Sequence, residues 1–213
     1  MNSFEVIKLN ETNKNSIIES AMKVLLNNEI LIFPTDTVYG LCGILTEASI
    51  KKLFSLKQRK DKQVPILFSS LERVMQRLLK TIPDWFIAFA EKFWPGAYTL
   101  ILESSQKIKG ISDDGYIGIR QPDHPELLQV IEGVGGFVAA TSANISGAGT
   151  GTDFEEIRDT FSTRVPLIVE GDISHANPSV VLKLHDEQVT ILRSSGEINK
   201  VKDFFNLYNL EII

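Results

Sequence analysis

Residues 29–41 read EILIFPTDTVYGL. The run Glu29–Phe33 is short, apolar after its first residue and closed by Pro34, which suits a buried strand better than a helix. Directly after it, Thr35, Asp36, Thr37 and Tyr39 bring three hydroxyls and a carboxylate. Polar side chains this dense at the carboxyl end of a strand suit a ligand wall, because ligands of open α/β sheets collect outside strand ends. A proline-initiated turn whose hydroxyls satisfy nearby backbone explains the same residues. Taken alone, the stretch reads as the turn, and a ligand wall needs support from elsewhere in the chain.

Working outward, Phe4–Leu9 alternates like a strand. Asn13–Asn28 follows as a helix with Ile17, Ala21, Val24 and Leu25 on one stripe and Thr12 or Asn13 as its cap. Thr46 caps a helix with Ile50, Leu53 and Phe54 inward, ending in the basic run Lys57–Lys62. Val64–Phe68 is a short strand, Ser70 caps a helix to about Leu79, and Pro83 opens another that carries Trp85, Phe86, Phe89 and Phe93. Trp94-Pro95-Gly96 ends it. Strands follow at Ala97–Leu102 and Tyr116–Arg120, then a helix at Pro125–Ile131 and a strand at Phe137–Thr141. Asp153 caps a helix to Phe161, strands recur at Leu167–Val169, Ser179–Leu184 and Val189–Arg193, and a helix closes the chain. Alternating helices and strands, with strands clustered late, predict a mixed sheet with helices packed on it. With no repeat, low-complexity tract or linker, one domain over residues 1–213 is expected.

The 213 residues are 43% hydrophobic and 23% charged, with 22 Lys and Arg against 27 Asp and Glu, a net charge of −5. That balance disfavours nucleic-acid binding driven by overall charge and leaves room only for a local basic patch. The one cysteine, Cys42, excludes an internal disulfide and a cysteine-rich metal site. The opening MNSFEVIKLNETNK has no long apolar run and no segment approaches about 18 apolar residues. A cytoplasmic location with no membrane association is therefore expected.

Four segments look like strand ends running into polar loops: PTDTVYG, LKQRKDK, IRQPDHP and TSANISG. Lys57 and Arg59 in the second either solvate a helix end or face a polyanion. Arg120, after Ile117-Gly-Ile119, needs an anion if buried, either an internal acid or a carboxylate ligand. The loop SANISGAGTGT lacks the Lys-Ser/Thr ending of a phosphate-binding P-loop, although glycine-freed N–H groups can still cradle an anion. No nucleophile elbow surrounds a serine, and His124, His175 and His185 have no metal-ligand spacing. Anion binders and hydroxyls without a covalent nucleophile suit phosphoryl or nucleotidyl transfer by positioning and charge neutralisation.

In order, these segments resemble the YrdC family, the threonylcarbamoyl-AMP synthases of tRNA modification. The resemblance rests on Pro34–Leu41, Lys57–Arg59, Arg120–Pro125, Ser142–Gly147 and Arg193, within roughly residues 15–195. It implies an α/β (α+β) fold, a strongly twisted mixed β-sheet flanked by helices with an open concave ligand face. It implies L-threonine, bicarbonate and ATP as substrates, Mg2+ bound with ATP, and a product passed to a threonylcarbamoyl transferase complex acting on tRNA. Direct tRNA contact would be weak. Lys57 and Arg59 would stabilise charge and, with Gln63, Tyr116, Ser142, Asn144, Thr150 and Arg193, bind ATP. Thr35, Phe68, Arg120, Ala140 and Ser179 would bind threonine.

Departures from the pattern fall in the basic segment, where the proline after Arg59 is missing and Gln63 replaces Lys or Asn. Tyr116 stands for a threonine, and PSVV for STVV. About 20 residues follow Arg193, matching the short single-domain form. A paralogue without synthase activity, acting as a double-stranded RNA-binding module, is the alternative, against which net −5 weighs. Carbamoyl transfer from carbamoyl phosphate, as in the related hydrogenase-maturation domain, would need a larger chain.

Overall fold

The structure, a computed structural model, describes residues 4–58, 63–147, 151–174, 177–195 and 198–213. In chain order the elements are β1 (Glu5–Lys8), α1 (Lys14–Leu26), β2 (Leu31–Phe33), β3 (Gly40–Gly43), α2 (Glu47–Lys57) and β4 (Ile66–Phe68). Next come α3 (Leu71–Arg77), α4 (Phe86–Phe93), β5 (Tyr98–Glu103), β6 (Tyr116–Arg120), α5 (Pro125–Gly133) and β7 (Phe137–Ser142). The last are α6 (Phe154–Phe161), β8 (Leu167–Glu170), β9 (Val180–His185), β10 (Gln188–Arg193), α7 (Ile198–Asn206) and β11 (Glu211–Ile212). The described strands form one mixed sheet in the order β1-β8-β2-β3-β7-β4-β6-β5-β9-β10-β11.

Local chemistry sets the helix starts. Thr46, Ser70 and Asp153 accept the backbone N–H of Ser49, Arg73 and Glu156, each satisfying an orphan donor of the first turn. Asn13 occupies the cap position of α1 but makes no capping bond. Its side chain closes the preceding turn instead, accepting from Asn10 N and donating to Lys8 O, both at 2.9 Å. Pro83 stands before α4 rather than opening it, because its carbonyl accepts Phe86 N–H in a turn. Strand β3 was not anticipated: GLCG offers only two side chains larger than hydrogen, too few for alternation to show. The two-residue β11 was equally silent.

The sheet buries its two faces unequally. On one, Ile32, Leu41, Ile66, Leu100, Ile117, Ile119 and Leu182 pack with residues of α2, α4, α6 and α7. Phe89 centres this layer, its ring 5.5 to 5.7 Å from Trp94, Phe204 and Phe205. Each such buried ring contributes about 1.5–3 kcal/mol. On the other face Leu31, Phe33, Cys42, Leu67, Val138, Ala140, Leu167 and Val169 pack on Ile17, Ala21 and Leu25 of α1 and Leu127, Val130 and Ile131 of α5. This second core takes nothing from β5, β6 or β9. Two helices thus cover half of that face, and the other half is open for a site.

His124 caps α5, its Nδ1 accepting Leu127 N–H at 3.4 Å, beside the Phe33 ring. Burial pushes its pKa below the ordinary 6.5, against the pull of Glu126 and Asp36. Below 6.5 the unfolded chain takes up a proton that folded His124 refuses, so stability falls as pH drops through that window. His124→Asn keeps a capping acceptor without the titration. Urea unfolding over roughly pH 5 to 8 is expected to show a flatter acid side for the variant; parallel curves would contradict this.

Candidate active site

The loop between β2 and β3 is a hydroxyl-organised turn. Thr35 Oγ1 accepts Thr37 N–H and Val38 N–H at 3.1 and 3.2 Å, donates to Val38 O at 2.7 Å, and lies 3.0 Å from Thr37 Oγ1. Tyr39 ties three segments: its N–H donates to Gly151 O, its carbonyl accepts Ala143 N–H, and its hydroxyl donates to Gly171 O at 2.5 Å. The turn reading of this stretch holds, and Thr35 and Thr37 also face the cavity.

Asp36 points the other way, into the protein, where one carboxylate oxygen pairs with Arg120 Nη2. Arg120 is 6% and Asp36 1% exposed. Nη1 of the same guanidinium donates to Thr37 Oγ1 at 2.8 Å, and Nε to Gly96 O at 3.0 Å. Desolvation lowers the Arg120 pKa while the Asp36 charge opposes the shift. Both anions considered for Arg120 thus remain compatible: Asp36 supplies the internal one, and of five guanidinium N–H donors two are left for a ligand.

Arg193 reaches the same face through a bulge. Ile191 pairs with Leu182 on the core side, and regular alternation would send Arg193 to that side too. A register shift between Ile191 and Arg193 sets Arg193 opposite Val181, the kind of re-aiming that bulges provide. There its Nε donates to Ser179 O at 2.7 Å and its Nη2 to Ser179 Oγ at 2.9 Å. Among the described residues no carboxylate pairs with it. Partial desolvation, and then the nearby Arg120 charge, lower its pKa.

These groups enclose a cavity of about 490 Å³. Register explains its floor: Ile101 pairs with Gly118, Thr99 with Val181, and Leu67 with Arg120. In mid-strand, Gly118 leaves space where a side chain would stand, a use of glycine seen where a ligand approaches backbone. A Cβ there would lie 3.3 Å from Pro65 Cβ, so close strand packing also favours glycine. Among the described residues the lining contains two arginines, six hydroxyls and no carboxylate.

Of the expected site residues, Thr35, Gln63, Arg120, Ala140, Ser142, Ser179 and Arg193 line this cavity. Lys57 does not: it is buried at the end of α2, its ammonium donating to Ser142 O at 2.9 Å and Asn144 Oδ1 at 2.7 Å. It braces the 142–146 loop from behind, and its carbonyl accepts Ser146 N–H. Asn144 is likewise turned to Lys57 and Ser142. Phe68 is core, edge-on to Trp94. Tyr116 sits outside the lining, its hydroxyl 2.5 Å from His185 Nδ1 and Lys183 over its ring, while Gln63 donates to Asp114 at 2.5 Å. Arg59 and Thr150 lie outside the described residues. Thr37, read only as part of a possible ligand wall, lines the cavity too. Thr99 and Gly118 were missed; the signal was a polar or small residue at alternate positions of apolar strands.

The sequence pattern of the Sua5/YciO/YrdC family, described as "Telomere recombination", matches residues 23–195. The chain belongs to this family. Among its relatives, a putative threonylcarbamoyl-AMP synthase of Methanocaldococcus jannaschii is 29% identical over 89% of this chain and 90% of its own. The threonylcarbamoyl-AMP synthase of Pyrococcus abyssi is 31% identical over 92% of this chain, which spans only 60% of that relative's length. The crystal structure of P. abyssi Sua5 complexed with L-threonine superposes with a TM-score of 0.89 at 28% identity, over 98% of this chain and 62% of that one. The expected twisted mixed α/β sheet of the Sua5/YciO/YrdC fold is the one observed.

The Asp36–Arg120 pair makes a stability prediction. Arg120→Ala strands a buried carboxylate and should cost about 3–5 kcal/mol in urea unfolding. The Asp36→Ala, Arg120→Ala double variant should lose less than the two single losses summed. Additive losses would show that the pair is not coupled.

Proposed function

We propose that this chain is an L-threonylcarbamoyladenylate synthase, joining L-threonine, bicarbonate and ATP and releasing pyrophosphate, in support of N6-threonylcarbamoyladenosine modification of tRNA. The observation that carries the reading is the cavity wall itself, two arginines and a row of hydroxyls with no carboxylate among the lining residues. Its relatives' names and the L-threonine complex of P. abyssi Sua5 point the same way.

In this reading the threonine amine adds to CO2 derived from bicarbonate, forming the N–C bond of a carbamate and losing a proton. A carbamate oxygen then attacks the α-phosphorus, and the bond to the bridging oxygen of pyrophosphate breaks. The protein supplies position and charge. Arg120, with two N–H donors to spare, holds the amino-acid carboxylate. Arg193 faces the phosphates, where electrostatic stabilisation of the departing charge is usually the largest contribution. Ser142, held by Lys57, lines the nucleotide side. Cys42 has no nucleophilic part, since complete burial pushes its thiol up to about 12. Among the described residues no cluster of acids, histidines and cysteines suits a metal ion, so Mg2+ would arrive on the triphosphate as part of the substrate. No described helix is long and apolar enough to cross a membrane. A cytoplasmic setting, and handover of the product to a tRNA-acting transferase, belong to the same proposal.

Purified protein should release pyrophosphate from ATP only when L-threonine and bicarbonate are both present. Arg193→Ala should lower that turnover roughly hundred-fold without unfolding the chain. ATP breakdown indifferent to threonine would sink the reading. Tight, salt-sensitive binding of duplex RNA without turnover would favour the RNA-binding alternative.

A further inference from the structure

Thr99 is a cavity residue with no role in the reading above, and its hydrogen bonding is incomplete in an informative way. It lies on β5, 4% exposed, with its Oγ1 2.9 Å from Ser179 Oγ. Ser179 Oγ in turn accepts Arg193 Nη2–H at 2.9 Å, and the Ser179 carbonyl accepts Arg193 Nε–H. A hydroxyl has one proton to give and two lone pairs to accept with. The bond between Thr99 and Ser179 uses one of their two protons, whichever residue donates. The other proton has no acceptor among the described residues. Buried hydroxyl protons are seldom left unpaired, and both side chains line the cavity. A ligand oxygen in the cavity is placed to supply that acceptor.

The position narrows the chemistry of that acceptor. Thr99 pairs with Val181, which pairs with Arg193, and one residue along from the Leu100–Ile119 pair it stands beside Arg120. A group over Thr99 therefore lies between two guanidiniums, where an anionic oxygen is favoured. We propose that Thr99 is a substrate-contacting specificity residue. With Ser179 it forms a two-hydroxyl relay whose spare proton is donated to a carboxylate-type oxygen of the amino-acid ligand. The inference rests on the reading of the cavity as a threonine site. The pair does not need to choose in advance which residue donates. Rotating both hydroxyls moves the donor from one to the other, so the relay can serve the amino acid's carboxylate or the carbamate made from it.

Thr99→Val tests this, because valine keeps the shape and the strand preference and removes only the hydroxyl. L-Threonine and MgATP binding would be titrated separately by calorimetry, and pyrophosphate release measured with bicarbonate. Expected is a loss of roughly ten- to hundred-fold in L-threonine affinity, in keeping with a hydrogen bond to a charged group. MgATP affinity should stay within about two-fold, since uniform loss would mean general damage. Thr99→Ser, which restores the hydroxyl, should recover most of the loss. Loss in threonine binding alone assigns the donor to the carboxylate; unchanged binding with turnover down by the same factor assigns it to the carbamate. If the valine variant fails to fold, Thr99→Ala carries the same comparison with Thr99→Ser. Wild-type-like binding and turnover in Thr99→Val, or equal losses in the valine and serine variants, would overturn the inference and leave the synthase reading standing. A wild-type chain that binds no L-threonine would overturn both.

Discussion

A buried guanidinium is costly unless its charge is paired and its donors are satisfied, and the geometry of this site follows from how Arg120 meets that demand. The match comes from Asp36, on the loop after β2, although β3, β7 and β4 lie between β2 and β6 in the sheet. Closing the pair draws the 34–39 loop over to the end of β6. Thr37 takes another donor of the same guanidinium, and Gly96 fixes the third from the opposite side. The pair is neutral as a unit, so it holds a cation at the cavity without imposing a net charge there. Arg193 supplies the excess positive charge, with no described carboxylate paired to it.

The second constraint is incomplete coverage. Helices α1 and α5 pack on one another and on β8, β2, β3, β7 and β4, and they stop short of β6, β5 and β9. On those three strands the same face carries Gly118 and Arg120, Thr99 and Ile101, and Val181 beside Ser179, a mixture of small, polar, charged and apolar residues that line the cavity. The opposite face of the same strands is fully apolar and covered. One layer therefore provides the stability and the other the site, so that residues one step apart along a strand, such as Leu100 and Thr99, do different work.

Much of this was legible in the chain itself. Caps at Thr46, Ser70 and Asp153, the strand Tyr116–Arg120, and the hydroxyl turn at Thr35 all follow from local rules that tertiary structure left intact. Arg120 was readable as a charge in need of an anion, but not its partner, because Asp36 is 84 residues away. The inward turn of Lys57 was hidden for the same reason: a lysine at a helix end looks solvated until the loop it braces, 85 residues on, is in place. Thr99 and Gly118 escaped because which alternate face of a strand is open depends on where the covering helices end. Arg193 was read as a ligand residue by resemblance, yet its orientation depends on a bulge that leaves no mark in the sequence.

We propose that the uncovered face between Arg120 and Arg193 is where the amino acid and the nucleotide meet. A crystal structure with L-threonine and a non-hydrolysable ATP analogue tests it most directly. Expected are the threonine carboxylate within hydrogen-bonding distance of Arg120, and phosphate oxygens within reach of Arg193, with the Asp36–Arg120 pair intact. Ligands bound elsewhere on the sheet, or Asp36 released from Arg120 to make room for the carboxylate, would contradict it.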